Sequence, residues 1–202
     1  MVLEAVIFDW GGVVAEDPAP GLVRYCAQAL RVPPRAFQGA FARFGRSFQS
    51  GILDERRFWS LVCNHLYIGP PKQTNGLWGR AFRAVYRPRP EVLLLIGYLK
   101  GRGIRTALLS NTEPACVEFF RTLGYRCFDQ TIFSCQVGMT KPDPAIYRLA
   151  VQRLGSIPAR TLFIDDRPSF IRAARSIGLM AEVYQGTSWL WWVFEAYLQA
   201  PS

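Results

Sequence analysis

The chain is poor in the residues that most directly announce chemistry. It has one histidine, His65, three lysines and five cysteines among its 202 residues. A single histidine excludes a multi-histidine metal centre and leaves His65 as the sole imidazole available to a catalytic triad. No Cys-x-x-Cys pair occurs, and the cysteine count (Cys26, Cys63, Cys116, Cys127, Cys135) is odd, which argues against a disulfide framework and a structural zinc. The pattern points to reduced thiols in a cytoplasmic protein. No apolar run approaches the ~18 residues of a membrane span. The start is also unlike a signal peptide, because Glu4 and Asp9 interrupt it and no basic flank precedes Val2–Phe8.

What is present is a half-apolar, aromatic-rich chain (50% hydrophobic, 14% aromatic) of a length expected for one domain carrying an insert. Its formal charge is +9, and the charge is segregated. Residues 18–90 hold eleven arginines and Lys72 against Asp54 and Glu55, a local +10, while the remainder is −1. Such asymmetry suggests an anionic substrate or partner near that segment, nucleic acid included.

Residues 2–8 read as a buried strand that runs into the turn Asp9-Trp10-Gly11-Gly12. Residues 18–87 change to helical spacing, with Leu22, Tyr25, Cys26, Ala29 and Leu30 on one stripe and Phe37, Phe41 and Phe44 on the next. Pro33-Pro34 separates the two stripes. A further helix is expected over 54–66, with Asp54 as its N-cap. From Glu91 onward helices alternate with strands: helix 91–100, strand 106–109, helix 113–123, strand 131–133, helix 144–154, strand 161–164, helix 168–177, strand 179–183. This alternation predicts an α/β fold with a Rossmann-like, doubly wound parallel sheet. The core is expected to be 1–17 plus 88–202, and 18–87 the helical insert. The tail from Ser188 to Leu198 carries Trp189, Trp191, Trp192, Phe194 and Tyr197, suited to docking on the body or to a homodimer contact.

Three apolar strands end in polar residues: Phe8 into Asp9, Leu109 into Ser110-Asn111, Ile164 into Asp165-Asp166. Carboxyl ends of parallel strands share one edge, where ligands bind. Three carboxylates there need a cation, or one of them must take up a proton, and an oxygen-only donor set suits Mg²⁺. Lys141, a hydroxyl and backbone amides beside such an ion would make a phosphate cradle. A strand-end aspartate could then attack phosphorus.

These residues resemble the haloacid dehalogenase superfamily. Its four motifs are matched in order by Phe8-Asp9-Trp10-Gly11-Gly12, Leu109-Ser110-Asn111-Thr112, Thr140-Lys141-Pro142 and Ile164-Asp165-Asp166-Arg167. The insert is similar to the cap of the subgroup that includes many small phosphatases. The resemblance implies a magnesium-dependent phosphatase acting on small, sugar phosphate-like monoesters. Asp9 would be nucleophile and metal ligand, and the Gly11 carbonyl, Asp165 and Asp166 would complete the metal site. Ser110, Asn111 and Gly12 would bind phosphate, Lys141 would neutralise it, and Arg46 on the insert would contact substrate.

The match departs from the family pattern at two positions. Gly11 stands where phosphatases of the family carry a second Asp that acts as acid and base, leaving Glu16, Asp17 or His65 as substitutes. Phe170 stands where an Asn or Asp often supports the metal. Alternatives are a 2-haloacid dehalogenase-like enzyme and a catalytically impaired binding protein that uses its basic insert. A phosphonoacetaldehyde hydrolase is also similar at Asp9-Trp10, but needs an insert lysine where only Lys72 is on offer.

Overall fold

The computed structural model describes residues 3–69 and 74–199. Lys72 lies outside them. A five-stranded, all-parallel sheet has the order β3-β2-β1-β4-β5, from β1 (Ala5–Phe8), β2 (Arg105–Ser110), β3 (Gln130–Phe133), β4 (Thr161–Asp165) and β5 (Met180–Val183). Winding reverses at β1, which pairs with β2 on one side and β4 on the other, so the crevice above β1 and β4 is a topological switch point.

The continuous apolar runs follow from burial on both faces. In β1, Val6 and Phe8 enter one core cluster, with the insert helices among its members, and Ala5 and Ile7 enter the other. The second cluster lies under α8 (Pro144–Leu154) and α9 (Pro168–Arg175). On the first side lie α5 (Pro90–Gly101), α6 (Pro114–Leu123) and α10 (Thr187–Gln199). A short α7 (Ser134–Val137) follows β3 and was not expected from sequence; four residues are too few to show a period.

Between β1 and α5 lie four helices: α1 (Ala19–Leu30), α2 (Pro34–Gln49), α3 (Glu55–His65) and α4 (Leu77–Val85). Asp54 caps α3, accepting from the Arg57 amide at 2.7 Å. Pro33 and Pro34 stand at the start of α2, where a missing amide costs nothing. The insert's two connections to the core are bonded to each other. The Glu16 amide donates to the Arg87 carbonyl and the Arg89 amide to the Val14 carbonyl, both at 2.9 Å. The Arg89 guanidinium adds bonds to the carbonyls of Val13 and Ala15.

The insert separates its polarity sharply. Phe37, Phe48, Phe58, Trp59, Trp78 and Phe82 are buried, whereas every described arginine of the segment except Arg89 is exposed. The tail docks through Leu190 and Phe194, the latter edge-on to Phe8 at 6.0 Å, and leaves Trp192 exposed beside Leu94 and Trp191. No described helix is long and apolar enough to cross a membrane.

Candidate active site

Asp9 follows β1, Ser110 ends β2 and Asp165 ends β4, so parallel pairing alone brings the three together. Lys141 arrives from the loop between α7 and α8. It is buried, and its Nζ lies 2.7 Å from Asp9 Oδ1 and 2.6 Å from Asp165 Oδ2. The ring of Phe170, at the second departure from the family pattern, lies 5.1 Å from that ammonium and supports it from the apolar side.

The electrostatics follow from burial. Desolvation raises the Asp9 pKa to about 7, Lys141 opposing the rise and Asp165 adding to it. Burial alone would lower the Lys141 pKa, but the two facing carboxylates outweigh it and the net shift is upward. Asp166 is also raised, by burial first and then by Asp165.

Asp9, Asp165 and Asp166 each offer a carboxylate oxygen within 4.8 Å of the others. Asp165 is already engaged by Lys141 and by the Arg167 amide, at 2.8 Å. Asp166 Oδ1 is buried without a hydrogen bond. An orphaned carboxylate oxygen beside an all-oxygen donor set fits a hard divalent cation, and Asp166 is its better-placed ligand. Gly11 lies on the same cavity wall as Asp9.

Three expected phosphate or substrate contacts are arranged differently. The Asn111 side chain is committed to Lys141: its Nδ2 donates to the Lys141 carbonyl at 2.9 Å and its Oδ1 accepts the Lys141 amide at 2.8 Å. It therefore positions the lysine, while its second Nδ2 hydrogen and its place on the cavity wall leave it able to donate to a phosphate. The Gly12 amide donates to the Ala15 carbonyl and closes the turn. What Gly12 supplies is space. At a φ of +100° with Asp166 packed on it, a Cβ there would collide with the Asp166 carboxylate. Arg46 is exposed in the last turn of α2 and does not line the cavity. It lies nine residues past Phe37, about two and a half turns, and so points away from the buried face.

Gly12→Ala is accordingly expected to displace Asp166 and weaken Mg²⁺ affinity roughly 10–100-fold, as loss of metal-site support does elsewhere. Mg²⁺ titration followed by thermal shift measures this, and an unchanged midpoint would refute it.

The cavity above these residues is about 180 Å³ and runs under the insert. Trp10, Phe37, Phe41, Trp78, Phe82 and Tyr86 line it, with Glu16 and Asp17 exposed on its wall. His65 is exposed, stacks edge-on with Phe44 and is not on that wall. Glu113, buried on the wall, was missed by sequence reading. Its only signal was its position three residues after Ser110. Arg167, directly after the Asp165-Asp166 pair, is also on the wall.

Residues 3–178 match the family model for haloacid dehalogenase-like hydrolases. The chain belongs to that family. Among curated relatives, the hydrolase is 30% identical over 184 residues to mouse acyl-CoA dehydrogenase family member 10, covering 87% of this chain but only 17% of the relative. It is 32% identical over 190 residues to the phosphorylated carbohydrates phosphatase of Thermotoga maritima, covering 88% and 82%. A haloacid dehalogenase-family enzyme of Bacteroides thetaiotaomicron, solved with magnesium and inorganic phosphate, superposes with a TM-score of 0.75 at 19% identity, over 91% of this chain and 94% of that one. At that identity the likeness shows the fold.

Proposed function

We propose that this hydrolase is a magnesium-dependent phosphatase of small phosphomonoesters. The observation that carries the reading is the Asp9–Lys141–Asp165 bridge beside the unpartnered Asp166 oxygen. Asp9, Asp166 and the Gly11 carbonyl would hold Mg²⁺, with Asp165 supporting. When bound, the ion neutralises the clustered carboxylates and polarises the phosphoryl oxygens. Asp9 attacks phosphorus, the ester P–O bond breaks, and an aspartyl-phosphate forms on Asp9. Water then cleaves that acyl phosphate and regenerates the carboxylate. Lys141 offsets the charge on Asp9 and the transferring group, and the Ser110 hydroxyl, buried on the cavity wall, donates to a phosphoryl oxygen. The insert excludes bulk water.

With Gly11 in place of an acid, protonation of the leaving group falls to the exposed Glu16 or Asp17, or to water. An absent general acid raises the barrier by about 3–5 kcal/mol, which favours leaving groups that depart as stable anions. The test is phosphate release from acetyl phosphate, 4-nitrophenyl phosphate, glucose-1-phosphate and glycerol-3-phosphate, with and without Mg²⁺. Mg²⁺-dependent release is expected from the first three; no release from any would sink the reading. The sugar phosphate class draws support from the Thermotoga relative, a phosphorylated carbohydrates phosphatase. The odd cysteine count with no Cys-x-x-Cys pair supports a reducing, cytoplasmic setting.

The carboxylate cluster also fixes a pH dependence. Asp9 is raised from 3.8 to about 7, so its neutral form favours the folded state. That contribution is present at low pH and is lost as pH climbs through 7. The cation requires the ionised form, so the proton competes with it. Saturating Mg²⁺ should therefore raise Tm more at about pH 8 than at about pH 6. Equal increments at the two would contradict the assignment of Asp9 as ligand.

A second reading rests on the insert's outer face, whose exposed arginines suit a polyanionic partner. Nucleic-acid binding that weakens steeply with salt, and that is lost on Arg-to-Glu changes at Arg43 and Arg46, is its signature. Its absence removes this reading.

A further inference from the structure

An open apolar groove runs between α5 and α10 and shares no lining residue with the active-site cavity. Its walls are built from Leu94, Tyr98, Trp191 and Trp192. Leu94 is 75% exposed and Trp192 73%. Exposed apolar side chains scattered singly need no explanation, but these are contiguous. The Tyr98 and Trp191 rings lie 5.2 Å apart, and all four residues face one groove. Glu91 is the one charged residue of its lining among the described residues.

The groove carries opposite charges at its two ends. Glu91 stands in the first turn of α5, and Arg102 directly follows the helix's last residue. They are about three turns apart and so lie on one stripe, with Leu94 and Tyr98 between them. The Arg102 guanidinium sits over the Tyr98 ring at 4.8 Å, against the groove's own wall. Both charges are exposed, and neither has an ion pair among the described residues; Glu91 accepts only from the Thr187 hydroxyl, at 3.4 Å. An order of acid, rings and base maps onto its complement when turned end for end, which is the requirement of a two-fold contact. A polyanion or an anionic membrane would be drawn to Arg102 and repelled by Glu91. The net charge of +9 holds copies of the chain apart elsewhere, but along this stripe the charges balance.

We propose that the occupant of this groove is a second copy of the chain, in a two-fold dimer with α5 antiparallel to its counterpart. Glu91 then meets Arg102 of the partner subunit, and the reverse pair forms at the other end. Leu94 and Trp192 of each copy leave water together, and the indole is the expected anchor of the contact. Two helices from each copy make a four-helix contact, small beside the roughly 800 Å² per partner of a standard interface, so micromolar association is expected. The active-site cavity stays open in such a dimer, since the two share no lining residue. The dimer does not depend on the phosphatase reading.

The test is sedimentation equilibrium of the full chain from about 1 μM to about 1 mM, with circular dichroism as the check on folding. The wild type should pass from monomer to dimer across that range. Trp192→Ser and Leu94→Ser, both at exposed positions, should weaken association by roughly 10-fold or more without changing the spectrum. Glu91→Arg and Arg102→Glu should each weaken it by roughly 10–100-fold, because each sets like charges against each other at both ends. The double variant should regain most of the wild-type affinity. Each swap also opposes the helix dipole, and the two positions are about 16 Å apart within one chain, so recovery in the double variant can come only from pairing between copies. A monomer at every concentration, a dimer indifferent to Trp192→Ser and Leu94→Ser, or a double variant no tighter than the single swaps overturns the proposal. A monomer that sediments with phosphatidylglycerol vesicles, and ceases to in Trp192→Ser, gives the face to a membrane and overturns it as well.

Discussion

Asn in place of Asp9 is expected to abolish Mg²⁺-dependent phosphate release, by about 10⁴-fold or more, while leaving the fold in place. The amide matches the carboxylate in shape. Its Oδ1 can still accept the Trp10 amide, at 2.7 Å in the parent, and the Lys141 ammonium at 2.7 Å. What it lacks is a nucleophilic oxygen and the negative charge that attracts the cation. In the metal-free protein the change also relieves repulsion from Asp165, which raises the Asp9 pKa. Tm should therefore move by only a few degrees while turnover disappears, as read by phosphate release and thermal unfolding on one preparation. Turnover surviving at near wild-type rate would place the nucleophile elsewhere.

Lys141→Met should have the largest effect on stability. The ammonium is the cation that bridges Asp9 and Asp165, and its side chain is almost fully enclosed. Removing one partner of a buried ionic cluster costs about 3–5 kcal/mol, because the remaining charges stay desolvated. For a chain of this length that is a fall in Tm of roughly 6–20 °C. The loss should be greater at about pH 8 than at about pH 6, since the parent's Asp9 is ionised and paired with Lys141 at the higher value, and protonating it in the variant costs more there. Methionine preserves length and contact with Phe163 and Phe170, so cavity formation contributes little. Calorimetric unfolding of the metal-free variant measures it, and a Tm within a degree or two of the parent would show that Lys141 is not the counter-charge.

The sheet was legible because parallel strands buried on both faces leave continuous apolar runs, and three of those runs stopped at polar residues: Asp9, Ser110-Asn111 and Asp165-Asp166. The helix over 144–154 matches the sequence reading at both ends, since Asp143 accepts the Ala145 amide at its start and Gly155 stops it in the left-handed region. The α4 helix was not read separately, because its short apolar stretch follows Pro70-Pro71 and Asn75-Gly76. Asp9, Lys141, Asp165 and Asp166 were legible as a group because strand ends converge. The bonds that tie the Asn111 side chain to Lys141 and the Gly12 amide to Ala15 were not, since sequence cannot say which amides are already bonded within the chain. Arg46 was chosen because a forked guanidinium suits phosphate, whereas the insert turns its rings inward and its guanidiniums out. Glu113 had no motif to mark it, and only its burial on the cavity wall does.

The paired connections of the insert bear on how the chain finds its sheet. Ala5 of β1 must meet Arg105 of β2 across a span of 100 residues, and that encounter is entropically slow. If the four helices collapse first, the bridge between Ala15 and Pro88 already brings the flanks together. The span still to be closed shrinks to about 27 residues, and the closure cost falls by about 1 kcal/mol. A segment that lines the cavity in the finished enzyme would then act earlier as a clasp, bringing the first two strands within reach of each other.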